Sequence, residues 1–300
     1  MHLFITGASG YIGGAVARHL VHLGHSVTAL ARSEASASRL AAEGLGVHLG
    51  DLEDAETLRR ALARAEGVIH VAVGGPRGVT EADAAALEAM ADALAGKDAP
   101  LILTSGLGVY AGSQLAVADE ETPLDGVTPF QLPRVRLEEQ ALRAAERGVR
   151  VVVLRPGHVY GHGHAGMFTR MQLDYAERTG AGAYVGEGAA PYGTVHADDL
   201  AAAYAAALER APAGSRYNIV GHTLTTRELA VAMSHAVGAG GRTVSLTPES
   251  AHEAWGPPAG LLMGGPAVSA VKAVVELGWT PRAPNLPYEL VHGSLRRTGA

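Results

Sequence analysis

The chain has no cysteine, and only two of its 24 basic residues, Lys97 and Lys272, are lysine. Without cysteine there is no disulfide, no thiolate metal site and no cysteine nucleophile. The remaining 22 basic residues (24 − 2) are arginine, so any chemistry that needs an ε-ammonium has two positions to draw on. No apolar run reaches about 18 residues, the length that suggests a membrane span. No G-x-S-x-G elbow marks a hydrolase serine. Met1 runs directly into "HLFITG" with no charged and apolar leader, so a cytoplasmic protein is expected. The formal charge of −6 argues against nucleic acid or an anionic membrane as the main partner.

What is present is a long alternation. "HLFIT", "SVTALA", "VHLGD", "VIHVAV", "PLILTSG" and "VRVVVLRPG" are short apolar runs, and helically spaced stretches of 10–15 residues separate them. That rhythm indicates an α/β fold with a doubly wound parallel sheet covered on both faces. Residues 1–156 are expected to form a dinucleotide-binding Rossmann domain. Residues 157–300 are expected to form mainly a smaller substrate-binding lobe, with some segments returning to the first domain. In that second half "GHVYGHGHAGMF" and "GAGAYVGEGAAPYG" read as Gly-rich loops.

"TGASGYIGG" follows the first strand and opens the first helix. Gly7 permits a tight turn, Gly10 lets a pyrophosphate approach the backbone, and Gly13 lets helix and strand pack closely. Ser9, Tyr11 and Ile12 lie on the same loop and are expected to touch the cofactor. The free amides of the helix start and its dipole then face the phosphates. At the end of the second strand, where a carboxylate would hold a ribose hydroxyl, stand Arg32 and Ser33. Arg39 follows two helical turns later. A guanidinium fork there suits the 2′-phosphate of NADP(H).

"TGASGYIGG", "GDLED", "TSGLGVYAG", "LRPGHVYG", "VHADDLA" and "LGWTP" occur in one order over nearly the whole chain. In this the sequence resembles the extended short-chain dehydrogenase/reductases, a group that includes the NAD(P)-dependent epimerase/dehydratases. The resemblance implies that Asp51 and Leu52 border adenine, and that Ala72 and Val73 border the adenosine ribose and pyrophosphate. Thr104, Pro156, Gly157 and Val159 are implied near the nicotinamide end. Members of this group usually carry Tyr-x-x-x-Lys on the helix after the fifth strand, and a Ser or Thr at that strand's end. Here those places fall on Phe130, Arg134 and Gly106, so the chain is an atypical member.

Arg134 can bond ribose hydroxyls and stay charged. Phe130 can pack on a flat substrate but has no proton to give. His158, whose imidazole ordinarily titrates near pH 6.5, is the first candidate for proton delivery, followed by Ser105 and Tyr110. Tyr160 and Tyr192 are expected at the substrate. His158, His162 and His164 lack helical register and a fixed carboxylate, so no metal site is expected. His196 with Asp198 and Asp199 is read as a helix start. The function these residues point to is NADPH-dependent reduction of a small hydrophobic or aromatic metabolite, through a carbonyl, imine or activated alkene. The alternatives are a non-redox isomerase, dehydratase or cyclase, or a non-catalytic NADP(H)-responsive binding protein. The resemblance also implies a homodimer through helices spanning roughly 79–96 and 133–147, whose Ala-rich faces would let backbones approach.

Overall fold

The structure, a computed structural model, describes residues 1–72 and 79–297. Strands β1 (His2–Thr6), β2 (Ser26–Ala31), β3 (Gly46–Leu49), β4 (Gly67–His70), β5 (Pro100–Thr104), β6 (Arg150–Pro156) and β7 (Ser215–Ile219) form one sheet. Its order is β7-β6-β5-β4-β1-β2-β3, with every pair parallel. The central strands are buried on both faces, which is why "LFI" and "VVVL" read as unbroken apolar runs rather than alternating ones. Strand order reverses between β1 and β4, and such a reversal opens a crevice at the carboxyl edge.

Helices α1 (Tyr11–His22), α2 (Glu34–Ala42), α3 (Ala55–Leu62), α4 (Glu81–Leu94), α5 (Leu132–Arg143), α6 (Met167–Thr179) and α7 (Ala197–Arg210) surround the sheet and the lobe. One face of the sheet packs Leu20 of α1 with Leu200 and Tyr204 of α7. The other packs Leu58, Met90 and Leu137 from α3, α4 and α5. Both α7 and β7 lie beyond residue 156 yet belong to these layers. A third cluster, around Tyr160, Leu229, Met233 and Trp255, is the core of the lobe.

Two stretches read as loops contain strands. His158–Gly161 pairs antiparallel with His164–Ala165 and parallel with Pro191–His196, while Gly182–Val185 pairs with Thr243–Leu246. The glycines that suggested loops make the reversal itself: Gly161 and Gly163 have φ of 126° and 75°, angles open to glycine.

The alanines expected to form a contact face turn inward. Ala86, Ala89 and Ala91 of α4, with Ala141 and Ala144 at the end of α5, are buried in the sheet-facing core. The outer surface of the pair is charged, Arg147 lying 2.6 Å from Glu88 and 2.9 Å from Asp92. Among the described residues no helix is long and apolar enough to cross a membrane.

Candidate active site

The crevice between β1 and β4 is a cleft of ≈ 690 Å³ above the start of α1. Its floor is the loop of Gly7, Ser9, Gly10, Tyr11, Ile12 and Gly13. Gly7 has φ 77°, and a Cβ there would sit 2.7 Å from the Ala72 nitrogen. A Cβ on Gly13 would come within 2.2 Å of the Gly7 carbonyl oxygen. Both positions therefore demand glycine. Gly10 caps α1 without a side-chain bond and the first turn holds no acid, so free amides face the cleft as an anion would require. Arg32, Ser33 and Ser36 line its far end, along with Asp51, Leu52 and Ala72. These features fit a dinucleotide: a shaped backbone cradle for the diphosphate and a cation with two hydroxyls at the distal end. Arg39 does not line the cleft; it is exposed and reaches Ser36 Oγ at 3.4 Å. Val73 lies outside the described residues.

A second cavity of ≈ 300 Å³ adjoins the first and shares Tyr11, Ile12 and Gly166 with it. Pro156, Gly157, His158 and Val159 form one wall, Ser105 and Tyr110 another, and Arg134 enters from α5. Arg134 donates to the Thr104 carbonyl at 3.1 Å, which fixes the guanidinium at the cavity edge. No lysine lines this cavity among the described residues, and its two tyrosines are committed elsewhere. Tyr11 donates to the Gly161 carbonyl at 2.9 Å, and burial, then the Asp198 carboxylate, raises its pKa. Tyr110 donates to Asn218 Oδ1 at 2.9 Å and accepts from Arg155 at 2.6 Å. Its hydroxyl is thus locked into a buried cluster with its proton already used. Ser105 Oγ is sealed from solvent with no partner among the described residues.

His158 stacks on Tyr192 with ring centroids 3.8 Å apart and meets Phe168 edge-on at 5.5 Å. Removal from water pushes its imidazole down to about 4. The expected titration near 6.5 is therefore displaced, and the ring is neutral at physiological pH.

Four residues expected at the site stand behind or outside it. Thr104 is buried and bonded to the Tyr204 hydroxyl at 2.5 Å. Tyr160 is fully buried and donates to the Pro284 carbonyl. Tyr192 supports His158 from below and bonds Thr169. Phe130 is half exposed and lines neither cavity. It falls before the helix, because Gln131 is the N-cap of α5, and Gln131 faces the cavity in its place. His196 caps α7, its Nδ1 accepting from the Asp198 amide. His162, His196 and Asp198 can bring one ligand atom each within 4.8 Å of one another, and Asp198 Oδ1 lies 2.8 Å from His162 Nε2, a carboxylate neighbour that the sequence did not announce.

Sequence reading missed several participants. Glu138 of α5 forms a buried pair with Arg155 of β6, each 2% exposed. An arginine inside a continuous apolar strand was the available signal, since a buried guanidinium needs a partner. Phe168, Gln131 and the 264–268 segment also line the cavity, and no local pattern announced them.

Residues 3–220 match the profile of the NAD dependent epimerase/dehydratase family. An uncharacterised protein of Schizosaccharomyces pombe is 33% identical over 298 residues, covering 97% of this chain and 98% of that protein. A 4-hydroxy-2-methyl-3-oxo-4-farnesyl-3,4-dihydroquinoline-1-oxide ketoreductase of Stigmatella aurantiaca is 31% identical over 226 residues, 72% of this chain and 67% of its own. The Thermus thermophilus UDP-glucose 4-epimerase, solved in complex with NAD, has a TM-score of 0.76 at 21% identity over 98% of both chains. At that identity the likeness is one of fold.

Proposed function

The chain belongs to the NAD dependent epimerase/dehydratase family, and from that premise we propose an NADPH-dependent reductase of a small, uncharged, hydrophobic or aromatic carbonyl compound. One observation carries the substrate class. Among the described residues that line the inner cavity, Arg134 is the only charged side chain, and Leu107, Val159, Phe168, Pro266 and Val268 supply much of the rest. A nucleotide sugar brings a diphosphate that calls for several cations; an apolar carbonyl compound does not. The quinoline ketoreductase, a relative whose name gives it a farnesylated 3-oxo-dihydroquinoline, supports a ketone with a large hydrophobic part.

The 7–13 loop would hold the cofactor's diphosphate, and Arg32 with Ser33 and Ser36 its 2′-phosphate. Arg134, charged at any working pH, would hold the ribose beside the cavity. Such a cofactor supplies a hydride to the carbonyl carbon while the oxygen takes a proton, so that NADPH leaves as NADP⁺ and the carbonyl as an alcohol. His158, neutral and stacked, shapes the wall without acting as an imidazolium. The proton comes from water, because Tyr11 and Tyr110 have none to spare.

Cofactor titration by fluorescence tests the assignment: NADPH should bind at least about tenfold tighter than NADH, or about 1.4 kcal/mol. Equal affinities at moderate salt would remove the 2′-phosphate role of Arg32.

A further inference from the structure

Gln131 stands at the mouth of α5 with an amide that the fold does not use. As N-cap it makes no side-chain bond to the helix, and its carboxamide has no hydrogen-bond partner among the described residues. Neither its nitrogen nor its oxygen is sealed from solvent. The same side chain lines the inner cavity and lies flat over Gly108 of the short helical turn Leu107–Tyr110. A Cβ on Gly108 would come within 2.6 Å of Gln131 Nε2 and 2.9 Å of its Cδ. Glycine at 108 is therefore what makes room for the amide.

Four other polar side chains of the cavity are engaged or closed off. Tyr11 and Tyr110 donate to protein oxygens, Ser105 Oγ is sealed, and Arg134 is tied to the Thr104 carbonyl. The Gln131 carboxamide keeps both its donor and its acceptor free beside apolar walls; His158, the remaining polar side chain of the cavity, lies in the wall with its ring stacked on Tyr192.

We propose that the Gln131 carboxamide holds the reacting oxygen of the substrate, donating from Nε2–H to the carbonyl. The inference rests on the reductase reading and adds the residue that recognises the oxygen. In the balanced step the carbonyl carbon receives a hydride from NADPH and the π electron pair moves onto oxygen. Gln131 stabilises that developing charge by its N–H, and the oxygen then takes a proton from water. The amide gives up no proton itself, so it neither needs nor replaces a lysine-activated phenol. It also confines the site to ligands with one uncharged oxygen, since a buried donor left unpaired is costly.

The test compares acetophenone with α-methylstyrene, which has a CH₂ in place of the oxygen, for binding to the NADPH-loaded protein and to Gln131→Leu. Expected in the unaltered protein is tighter binding of the ketone and a carbonyl stretch shifted to lower frequency in the bound state. Gln131→Leu should weaken the ketone about tenfold, abolish the shift, lower kcat by about 10²-fold, and leave α-methylstyrene and NADPH affinities unchanged. Ketone affinity and carbonyl shift retained in Gln131→Leu would overturn the inference, as would no oxygen-dependent binding by the unaltered protein. Gln131→Glu, which removes the donors at similar volume, should fail as Gln131→Leu does; full activity in it would equally overturn the role. If binding depends on Gln131 but NADPH is never oxidised, the oxygen site stands and the reductase reading falls.

Discussion

Two imidazoles illustrate how single residues respond to their surroundings. Burial pushes His70 and His158 down to about 4, below the roughly 6.5 of an unfolded histidine. Between those values the unfolded chain binds the proton and the folded chain resists it. The stability each neutral ring contributes is therefore complete above about pH 6.5 and is lost as pH falls toward 4. For fully buried His70, bonded to Thr6 Oγ1 at 2.7 Å, the loss amounts to up to about 3 kcal/mol. Urea denaturation of the unaltered protein and His70→Gln at pH 7 and 4.5 should show the smaller pH effect in the variant; parallel losses would contradict this. At the cofactor end, Arg32→Asp should shrink or invert the preference for NADPH in paired titrations, because a carboxylate repels a 2′-phosphate and accepts from a ribose hydroxyl. Sequence could place Arg32 at the cleft because its position at the end of a strand carries meaning by itself. It could not separate Phe130 from Gln131: neighbours at a helix start differ in direction only once the capping residue is known.

Helix α5 is positioned by one buried pair. Glu138 accepts from Arg155 Nε at 3.1 Å through both of its oxygens, and Arg155 continues to Tyr110 and from there to Asn218. Gln131, Arg134 and Glu138 share a helix face, so the anchor at Glu138 holds the two cavity residues one and two turns away. Glu138→Gln should leave a buried guanidinium uncompensated and cost about 3–5 kcal/mol in urea denaturation. The double variant Glu138→Leu with Arg155→Met should recover a large part of that loss. A cost below about 1 kcal/mol for Glu138→Gln would show that the pair does not anchor α5. The elements themselves were largely legible, α4 occupying Glu81–Leu94 within the helical stretch read from the sequence. The strands inside the two Gly-rich stretches were not, since runs of two to six residues rich in glycine carry no periodicity and become strands only through distant partners such as Thr194 beside His158.

For the molecule as a whole, the sheet could be read because its burial on both faces is written locally as apolar runs, and the cofactor cleft because backbone geometry there demands glycine. The inner cavity could not be read, because it is assembled from α5, the 105–111 turn, the lobe and residues 264–268, which meet only in the folded state. Association through α4 and α5 would join charged surfaces carrying Glu88, Asp92 and Arg147. Light scattering at micromolar concentration tests the expected dimer: one formed through this face dissociates toward about 1 M salt, where screening acts within about 3 Å, and a monomer at low salt would remove the expectation. A dimer indifferent to salt would place the contact on another face. Hydride transfer to an apolar carbonyl can be traced by following the label from NADPH deuterated at the transferring carbon through a series of aryl ketones. An alcohol with deuterium on the former carbonyl carbon is expected, formed in equal amount to the NADPH consumed. Ketone bound in the cavity with NADPH left intact, or a product without the label, would contradict it.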